Sequence, residues 1–582
     1  MTLLPERLLN VARLLQAAFG AYALHITLIA VLGFFASLLE ALGISAVIPI
    51  FSFVTGGSGA AADTITHIIS GVFAYLHIPY TFRFLLLFVG TLFVVRTLAL
   101  FAIQNVTARI VFGYERDMRK NMFRVTLMAD WPFLSLQKAG HLDQLLLTNT
   151  TNTALFFGFF STMVLIITKT IAYLVIAINI SLPVALLSLL AGVLLFFVLK
   201  PLFRWNKVFS TEAEGLNRSV AHYVSQHLSG VKTVKALAVE GPVARTASRY
   251  FEGIRNVHVR ITTLRGFLEM GVQFAGLAFV AGVFAYMYRS GSFNFASFAI
   301  IVYAVNQIFA QVQSAQVQLH SLTSMIPYLQ SAISHIRSAR ESGEREHGSI
   351  QFSFERDIEF RDVSFSYPKR TGTLDNISFR VPHGKIVAIV GPSGAGKSTI
   401  ADLLLHLIEP SSGNILIDGR DLKEVSLHHW RKVVGYVPQE PFLLNDTIRN
   451  NIAFYDVISD DDMRKFAERA NIHDFIETLS EKYDTHIGDR GVFLSGGQRQ
   501  RIVLTRLLAR KPKLLVLDEA TSALDPESQT AIRKSIEKLR GEVTVIIIAH
   551  SGEMRDAADI TITLEDGKVQ NIEHRSPKGV VI

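Results

Sequence analysis

The stretch with the clearest chemical potential is GPSGAGKST, which follows the apolar strand pattern KIVAIV and precedes the helical pattern IADLLLHLI. The order strand, G-x-x-x-x-G-K-[ST], helix is typical of a phosphate-binding loop. Its glycines permit a turn whose N–H groups point at phosphates, and the following helix adds its positive dipole end. The lysine can reach the β- and γ-phosphates, and the serine after it can bind Mg²⁺. We expect this loop to bind nucleotide through Gly391, Pro392, Ser393, Gly394, Ala395, Gly396, Lys397, Ser398 and Thr399.

Other polar residues stand at the ends of strand patterns. KLLVLDEAT ends in Asp518, placed to hold Mg²⁺, and Glu519, placed to orient and deprotonate an attacking water. Gln439 in GYVPQEP is a candidate ligand of Mg²⁺ and water, and His550 after TVIIIA is a candidate γ-phosphate contact. Ligands of α/β sheets bind at the carboxyl ends of strands, so we expect these groups to meet. The predicted catalytic set is Glu519, His550 and Gln439, and the predicted metal set is Ser398, Gln439 and Asp518.

A second glycine-rich stretch, GVFLSGGQRQ, opens another helical pattern about a hundred residues after the first. A helix N-terminus with flexible glycines is again an anion cradle. One ATP has a single triphosphate tail, so a second cradle has a use only if a second ATP faces it. We expect Ser495, Gly496, Gly497 and Gln498 to contact nucleotide there. Tyr367 in VSFSYP could stack on adenine, or it could be an ordinary surface or core aromatic.

The elements that must position these residues fall into two halves of different composition. The chain has 582 residues, of which 50% are hydrophobic and 18% charged, and its mean hydropathy of +0.34 favours a membrane protein. Long apolar runs occupy the part before about residue 340, and alternating helix and strand patterns follow it. The chain contains no cysteine, which excludes disulfides, thiolate metal sites and a cysteine nucleophile.

The apolar runs are candidate membrane spans, because each reaches the roughly 20 residues that a spanning helix needs. There are six, at 22–53, 84–107, 155–178, 182–203, 266–288 and 295–319. Lysine and arginine concentrate between them in two segments, with six at 106–152 and ten at 204–265. Since basic loops remain in the cytoplasm, both termini are predicted to be cytoplasmic. This orientation accounts for much of the net charge of +8, so we expect no nucleic-acid partner.

The two basic loops interrupt the helical pattern at WPFLSLQKAGHLDQLL and at LSGVKTVKALAVE. Each stretch could form a short crosswise helix that touches a cytoplasmic partner, or it could be a plain surface turn.

Together these residues resemble the nucleotide-binding domain of ABC transporters. Tyr367, the phosphate loop, Gln439, LSGGQ, LVLDEATSALD and His550 come in that family's order, and the six spans before them resemble a type IV exporter half-transporter. The resemblance implies a membrane all-α six-helix domain at 1–340, with coupling helices in its two long cytoplasmic loops. It implies an α/β P-loop ATPase domain at 350–582. It also implies ATP and Mg²⁺ as cofactors and a homodimer in which each ATP lies between one chain's phosphate loop and the other's LSGGQ. A heterodimer is possible but no motif is degenerate.

The cargo is less defined by the sequence. LLEALGISAVIPIF at 38–51 and the apolar stretch at 64–78 look like bacterial lipid-linked oligosaccharide flippases. Glu40, Arg96, Lys169 and Glu269 lie in or near spans, where charges line a cavity, pair with each other or snorkel. We therefore expect an ATP-driven exporter of a lipid or lipid-linked amphiphile in the bacterial cytoplasmic membrane. A multidrug or peptide exporter is the alternative. A chromosome-maintenance ATPase lacks the spans, and importers usually keep membrane and ATPase parts on separate chains.

Overall fold

The structure of the chain is a computed structural model that divides into two compact units. One unit comprises Met1–Leu127 and Lys138–Ser338, and the other comprises Met128–Gln137 and Ala339–Ile582. The structure describes residues 20–46, 49–50, 64–75, 77–137, 142–180, 182–289, 295–344, 348, 350, 354–367, 372–519, 525–549 and 555–575.

The described part of the first unit consists of helices. Six are long: α1 Ala23–Ser45, α3 Phe82–Leu127, α5 Thr150–Ile180, α6 Leu182–Ser229, α8 Glu240–Arg289 and α9 Phe295–Glu341. Two are short, α2 Thr64–Tyr75 and α7 Val231–Ala236, and a π-helical turn at Gln144–Asn149 precedes α5. The helix Trp131–Ser135, α4, belongs to the second unit. Short helices thus occur in both stretches where the sequence interrupts the helical pattern.

Long helices are the expected solution for apolar segments, because a bilayer offers no partner for an unpaired backbone group. Among the described residues, four helices are long and apolar enough to cross a membrane, namely Leu24–Ile44, Phe82–Leu127, Gln144–Val175 and Glu240–Arg289. The remaining two predicted spans lie in α6 and α9. At about 1.5 Å per residue, a helix of 46 to 50 residues is more than twice as long as a hydrocarbon core is thick. Within the first predicted run, 22–53, the structure describes the helix Ala23–Ser45 and a helical conformation at Pro49 and Ile50.

Large apolar side chains remain exposed along one stripe of α3. Leu87, Val94, Leu98 and Phe101 are 58–63% exposed, and their spacing places them on one helical face. In a soluble protein such a stripe would be covered, and in a bilayer it faces lipid.

The second unit is built on two sheets. The described strands are β1 Asp357–Phe365, β2 Leu374–Pro382, β3 Ile386–Val390, β4 Ser412–Ile417, β5 Arg420–Asp421, β6 Val434–Val437, β7 Leu514–Asp518, β8 Thr544–Ala549, β9 Ile560–Glu565 and β10 Lys568–His574. The central sheet has six of these strands in the order β10-β9-β3-β8-β7-β6, and the second sheet has the order β2-β1-β4-β5. From β9 to β6 the neighbours are parallel. The buried apolar runs of β7 and β8 match the pattern of parallel strands covered on both faces.

Short helices surround these sheets. They are α10 Lys397–Leu404, α11 Leu427–Val433, α12 Ile448–Ala453, α13 Asp460–Arg469, α14 His473–Glu477, α15 Gly496–Ala509 and α16 Pro526–Glu537. Parallel strands place their carboxyl ends at one edge, so β3, β8, β7 and β6 deliver their following residues to the same edge. The fold class expected from the sequence, a helical membrane domain fused to an α/β P-loop domain, is confirmed.

Candidate active site

The phosphate loop leaves β3 and enters α10 through glycines that no other residue could replace without strain. At Gly391 an added Cβ would stand 2.2 Å from the carbonyl oxygen of Leu564. At Gly396, with φ of 97°, it would stand 2.6 Å from Leu374 Cδ2. The loop is therefore a tight backbone turn whose conformation depends on its glycines.

Lys397, the first residue of α10, is only 4% exposed and reaches back across this loop. Its Nζ donates hydrogen bonds to the carbonyl oxygens of Gly391 at 2.9 Å and Pro392 at 2.8 Å. Burial lowers the pKa of Lys397, and the carboxylates of Glu519 and Asp518 oppose that shift. The ammonium group is thus held against the backbone of the loop, where the charges of two acidic residues act on it.

Asp518 closes β7 and lies beside the phosphate loop. Its side chain accepts hydrogen bonds from Ser398 Oγ at 3.4 Å and from the Tyr436 hydroxyl at 3.3 Å. The residue is 7% exposed, and burial together with the charge of Glu519 raises its pKa. The pairing with Ser398 spans 120 positions of sequence and arises because β3 and β7 end at the same edge.

Glu519 turns away from the strand in a left-handed conformation, with φ of 49°, while its N–H donates to the Ile548 carbonyl at 3.0 Å. Gln439, which follows β6, donates from Nε2 to Glu519 Oε2 at 2.7 Å. A non-glycine residue in this conformation stores strain, which neighbouring contacts must hold. The turn directs the Glu519 carboxylate toward Gln439.

Ser398, Asp518 and Gln439 offer a hydroxyl, a carboxylate and an amide oxygen. These hard oxygen donors fit Mg²⁺, which binds few protein ligands and keeps part of its water shell. Within the part of the chain that the structure describes, no cluster of three or more His, Asp or Glu side chains could hold a metal. The serine, aspartate and glutamine that the sequence singles out carry oxygen donors of the kind that this ion prefers.

Two residues that the sequence reasoning did not select also face this edge. Tyr436 binds Asp518, as described above, and Asp402 lies one turn after Ser398 on α10. Asp402 accepts a hydrogen bond from the Tyr367 hydroxyl at 3.4 Å, and burial raises the pKa of Asp402 to about 6. The sequence could have indicated Asp402, because it lies four residues after Ser398 on a predicted helix and residues four apart share a helical face. Tyr367 packs edge-on against Phe365 and is 37% exposed.

The second glycine-rich stretch forms the start of α15. Ser495 is the N-cap of this helix and forms a capping box with Gln498. The Gln498 N–H donates to the Ser495 hydroxyl, and the Ser495 N–H donates to the Gln498 side-chain oxygen. Gly497 packs so closely against α16 that an added Cβ would stand 2.3 Å from Ser528 Oγ. Ser495–Gln498 and the phosphate loop have no hydrogen bond with each other among the described residues. His550, the remaining predicted site residue, lies outside the described residues.

The first unit contains a buried polar cluster around Glu40, which is 5% exposed. Arg96 forms an ion pair with its Oε2 at 2.8 Å, and the Tyr173 hydroxyl donates to its Oε1 at 2.8 Å. Tyr303 donates at 3.3 Å, so one carboxylate joins α1, α3, α5 and α9. Lys169 lies one helical turn before Tyr173 and, among the described residues, forms no ion pair. Arg96, one of the two cations that the sequence places at membrane depth, is therefore neutralised by Glu40.

Comparison with known proteins gives consistent matches over both units. The sequence model of a family described as ABC transporter transmembrane region matches residues 19–314, and that of a family described as ABC transporter matches residues 374–522. The fold is similar to a bacterial Atm1-family ABC exporter with ATP bound, at a TM-score of 0.75 and 25% identity, covering 96% of this chain and 95% of that one.

Two curated relatives match over shorter segments. An ATP-dependent lipid A-core flippase of Photorhabdus laumondii is 48% identical over 216 residues, which is 37% of each chain. ATP-binding cassette sub-family B member 5 of Homo sapiens is 43% identical over 218 residues, which is 37% of this chain and 17% of the relative. The matches therefore span well under half the length of these relatives.

Proposed function

The chain belongs to the ABC transporter family as an exporter half-transporter, and on that premise we propose that it moves a lipid or lipid-linked amphiphile outward across the bacterial cytoplasmic membrane. Both termini lie in the cytoplasm. Two copies form the working unit, which alternates between inward and outward access as ATP binds and is hydrolysed. The alternative is a multidrug or peptide exporter of the same architecture.

The observation that carries the ATPase mechanism is the hydrogen bond between Gln439 and Glu519 beside Asp518. In our proposal Glu519 accepts the proton of the attacking water, and Gln439 holds both the carboxylate and that water in line with the γ-phosphate. Lys397 compensates charge on the β- and γ-phosphates. Mg²⁺ held by Ser398, Gln439 and Asp518 would neutralise phosphate charge. Tyr367 stacks on adenine, and His550 contacts the γ-phosphate.

We further propose that each ATP is shared between two copies of this chain. Ser495, Gly496 and Gly497 carry a helix N-terminus suited to an anion, and the phosphate loop of the same chain is already a complete cradle for one triphosphate. Gln498 acts by closing the capping box that shapes this N-terminus.

A mixed dimer tests the sharing. One chain carries Lys397→Ala and the other Ser495→Arg, each with a different affinity tag for purification. If sites are shared, both lesions fall in one site, and the other still binds and traps ATP. If each chain holds its own complete site, no intact site remains and trapped nucleotide is absent. Dimers with both lesions on both chains provide the background.

The cargo proposal rests on the charges at membrane depth. Because Glu40 neutralises Arg96, Lys169 is the cation near this cluster that forms no ion pair among the described residues, and it lies about 6 Å along the helix from Tyr173. A cation in a low-dielectric region attracts a phosphate head group more strongly than it would in water. The alkyl tails of such a cargo can stay in the bilayer while the head group crosses. A relative described as a lipid A-core flippase fits this class of cargo.

The test is flipping in proteoliposomes that carry a fluorescent anionic lipid-linked cargo. Lys169→Ala should reduce ATP-dependent head-group transfer while basal ATPase activity persists. Arg83→Ala, which removes an exposed cation at the start of α3, is the matched control and should leave transfer unchanged. Robust transport of neutral or cationic drugs, with the anionic lipid ignored, would replace the lipid proposal with the multidrug alternative.

A further inference from the structure

Arg506, in the middle of α15, is a buried cation with an unusual set of partners. It is 7% exposed, and none of the ion pairs among the described residues involves it. Three of its nitrogen atoms instead bind oxygens of uncharged groups: Nε donates to Asn451 O at 2.7 Å, Nη1 to Phe442 O at 2.9 Å, and Nη2 to Asn451 Oδ1 at 3.2 Å. Burial lowers its pKa to about 10.

All three acceptors belong to one segment of chain, residues 442–451, which starts three residues after Gln439. Asn451 is fully buried and holds this segment from within. Its Nδ2 donates to the carbonyls of Leu444 and Thr447, each at 3.0 Å, and its Oδ1 accepts from the Leu444 N–H at 2.8 Å. The guanidinium therefore binds a segment that is already rigid, and it fixes that segment against α15.

An aromatic ring lies against the guanidinium. Phe454 lies with its ring centroid 4.2 Å from the Arg506 guanidinium carbon. Phe454 is held in a left-handed conformation, with φ of 41°, at the carboxyl end of α12. Arginine suits such a site because its planar group can stack and donate in fixed directions at once, which lysine cannot.

The two ends of this arrangement lead to different parts of the nucleotide machinery. Gln439 at one end binds the carboxylate of Glu519 at 2.7 Å. At the other end, α15 begins at Gly496 with Ser495 as its cap, about 15 Å along the helix from Arg506. A buried charge without a carboxylate is expensive unless every donor is satisfied. Separating the segment from α15 would therefore leave the guanidinium donors without their acceptors, which is unfavourable in free energy.

We propose that Arg506 is a positioning residue that joins residues 442–451, and through them Gln439, to α15. The water-orienting Gln439 and the second cradle at the start of α15 then move as one body. With the shared sites of the proposed function, the guanidinium connects the hydrolytic carboxylate acting on one ATP with the helix that caps the other. Hydrolysis at one site then depends on whether the second ATP is capped.

The test is a double-mutant cycle on the ATPase activity of the purified full chain. Arg506→Lys keeps the charge but loses the fork, and it should lower kcat about tenfold while KM for ATP changes less than about twofold. If Arg506 acts through Gln439, then Arg506→Lys combined with Gln439→Ala should be no slower than Gln439→Ala alone. Arg464→Lys, on α13 and paired with Glu468 at the surface, is the matched control and should retain wild-type kcat.

A second cycle with Ser495→Ala examines the other end and should be non-additive in the same way. Phe454→Leu removes the stacking ring and leaves the three hydrogen bonds, so it repeats both cycles if Arg506→Lys fails to fold. Effects that multiply independently in the Gln439 cycle, or a loss confined to KM, would overturn the proposal. Neither cycle requires a cargo, and the Gln439 cycle does not depend on where the second ATP lies. Its failure therefore leaves the cargo proposal and the shared sites untouched.

Discussion

Gly497→Ala is the substitution whose effect the structure determines most directly. In an open helix this change stabilises by about 1 kcal/mol, because alanine is the better helix former. Here the new Cβ would stand 2.3 Å from Ser528 Oγ and 2.6 Å from Ser528 Cβ, about 1 Å short of ordinary contact. Overpacking of this kind costs about 1–3 kcal/mol, so Gly497→Ala should destabilise the protein here instead of stabilising it.

The activity should fall further than the stability. To admit the methyl group, the N-terminus of α15 must shift by roughly the missing 1 Å, and misplacement by that distance can cost about 100-fold in rate. We expect kcat of the ATPase to fall about 10- to 100-fold, with ATP affinity at the phosphate loop unchanged, because that loop lies on a different element. Phosphate release at saturating ATP and equilibrium binding of a fluorescent ATP analogue measure the two quantities.

The control and the rescue follow from the same contact. Gly113→Ala in α3 has no atom within 4 Å of the new Cβ and should leave the melting temperature and kcat unchanged or slightly raise the former. Ser528→Gly removes both clashing atoms, so the double variant with Gly497→Ala should recover most of the activity. A Gly497→Ala chain with wild-type kcat, or a double variant no better than the single one, would refute this reasoning.

Three more outcomes are expected. Glu519→Gln should lower kcat by about 10²- to 10⁴-fold with ATP binding retained, and near-normal hydrolysis in a phosphate-release assay would remove Glu519 from the role of base. Burial raises the pKa of Asp402 from 3.8 to about 6, so the folded state holds this proton more tightly than the unfolded state, and the stability it contributes is lost as pH rises through 6. Asp402→Asn should therefore flatten the fall in melting temperature between about pH 4 and 7. An unchanged slope of melting temperature against pH would contradict this. Arg96→Met should lower the melting temperature in detergent because it leaves Glu40 buried without its cation, and Glu40→Gln with Arg96→Met should restore it; equal loss in the double variant would exclude the pairing as the cause.

The sequence by itself determined the parts whose chemistry is contiguous. A phosphate loop needs its glycines, lysine and serine at fixed spacing between a strand and a helix, so that string predicts both the turn and its ligand. An apolar run of about 20 residues predicts a spanning helix because the bilayer leaves the backbone no other partner. These local constraints explain why the family, the fold class and the order of the motifs could be predicted before any contact was known.

Only the tertiary structure decided which distant groups meet. Gln439 and Glu519 are 80 positions apart, and their hydrogen bond depends on β6 lying beside β7. Glu40 and Arg96 are 56 positions apart, and the sequence left open whether the arginine faces cargo or a carboxylate. The three acceptors of Arg506 lie 55 to 64 positions earlier in the chain, so the sequence alone does not distinguish it from other basic residues on a helix. Side-chain type sets which bonds are possible, but the packing of strands and helices sets which of them form.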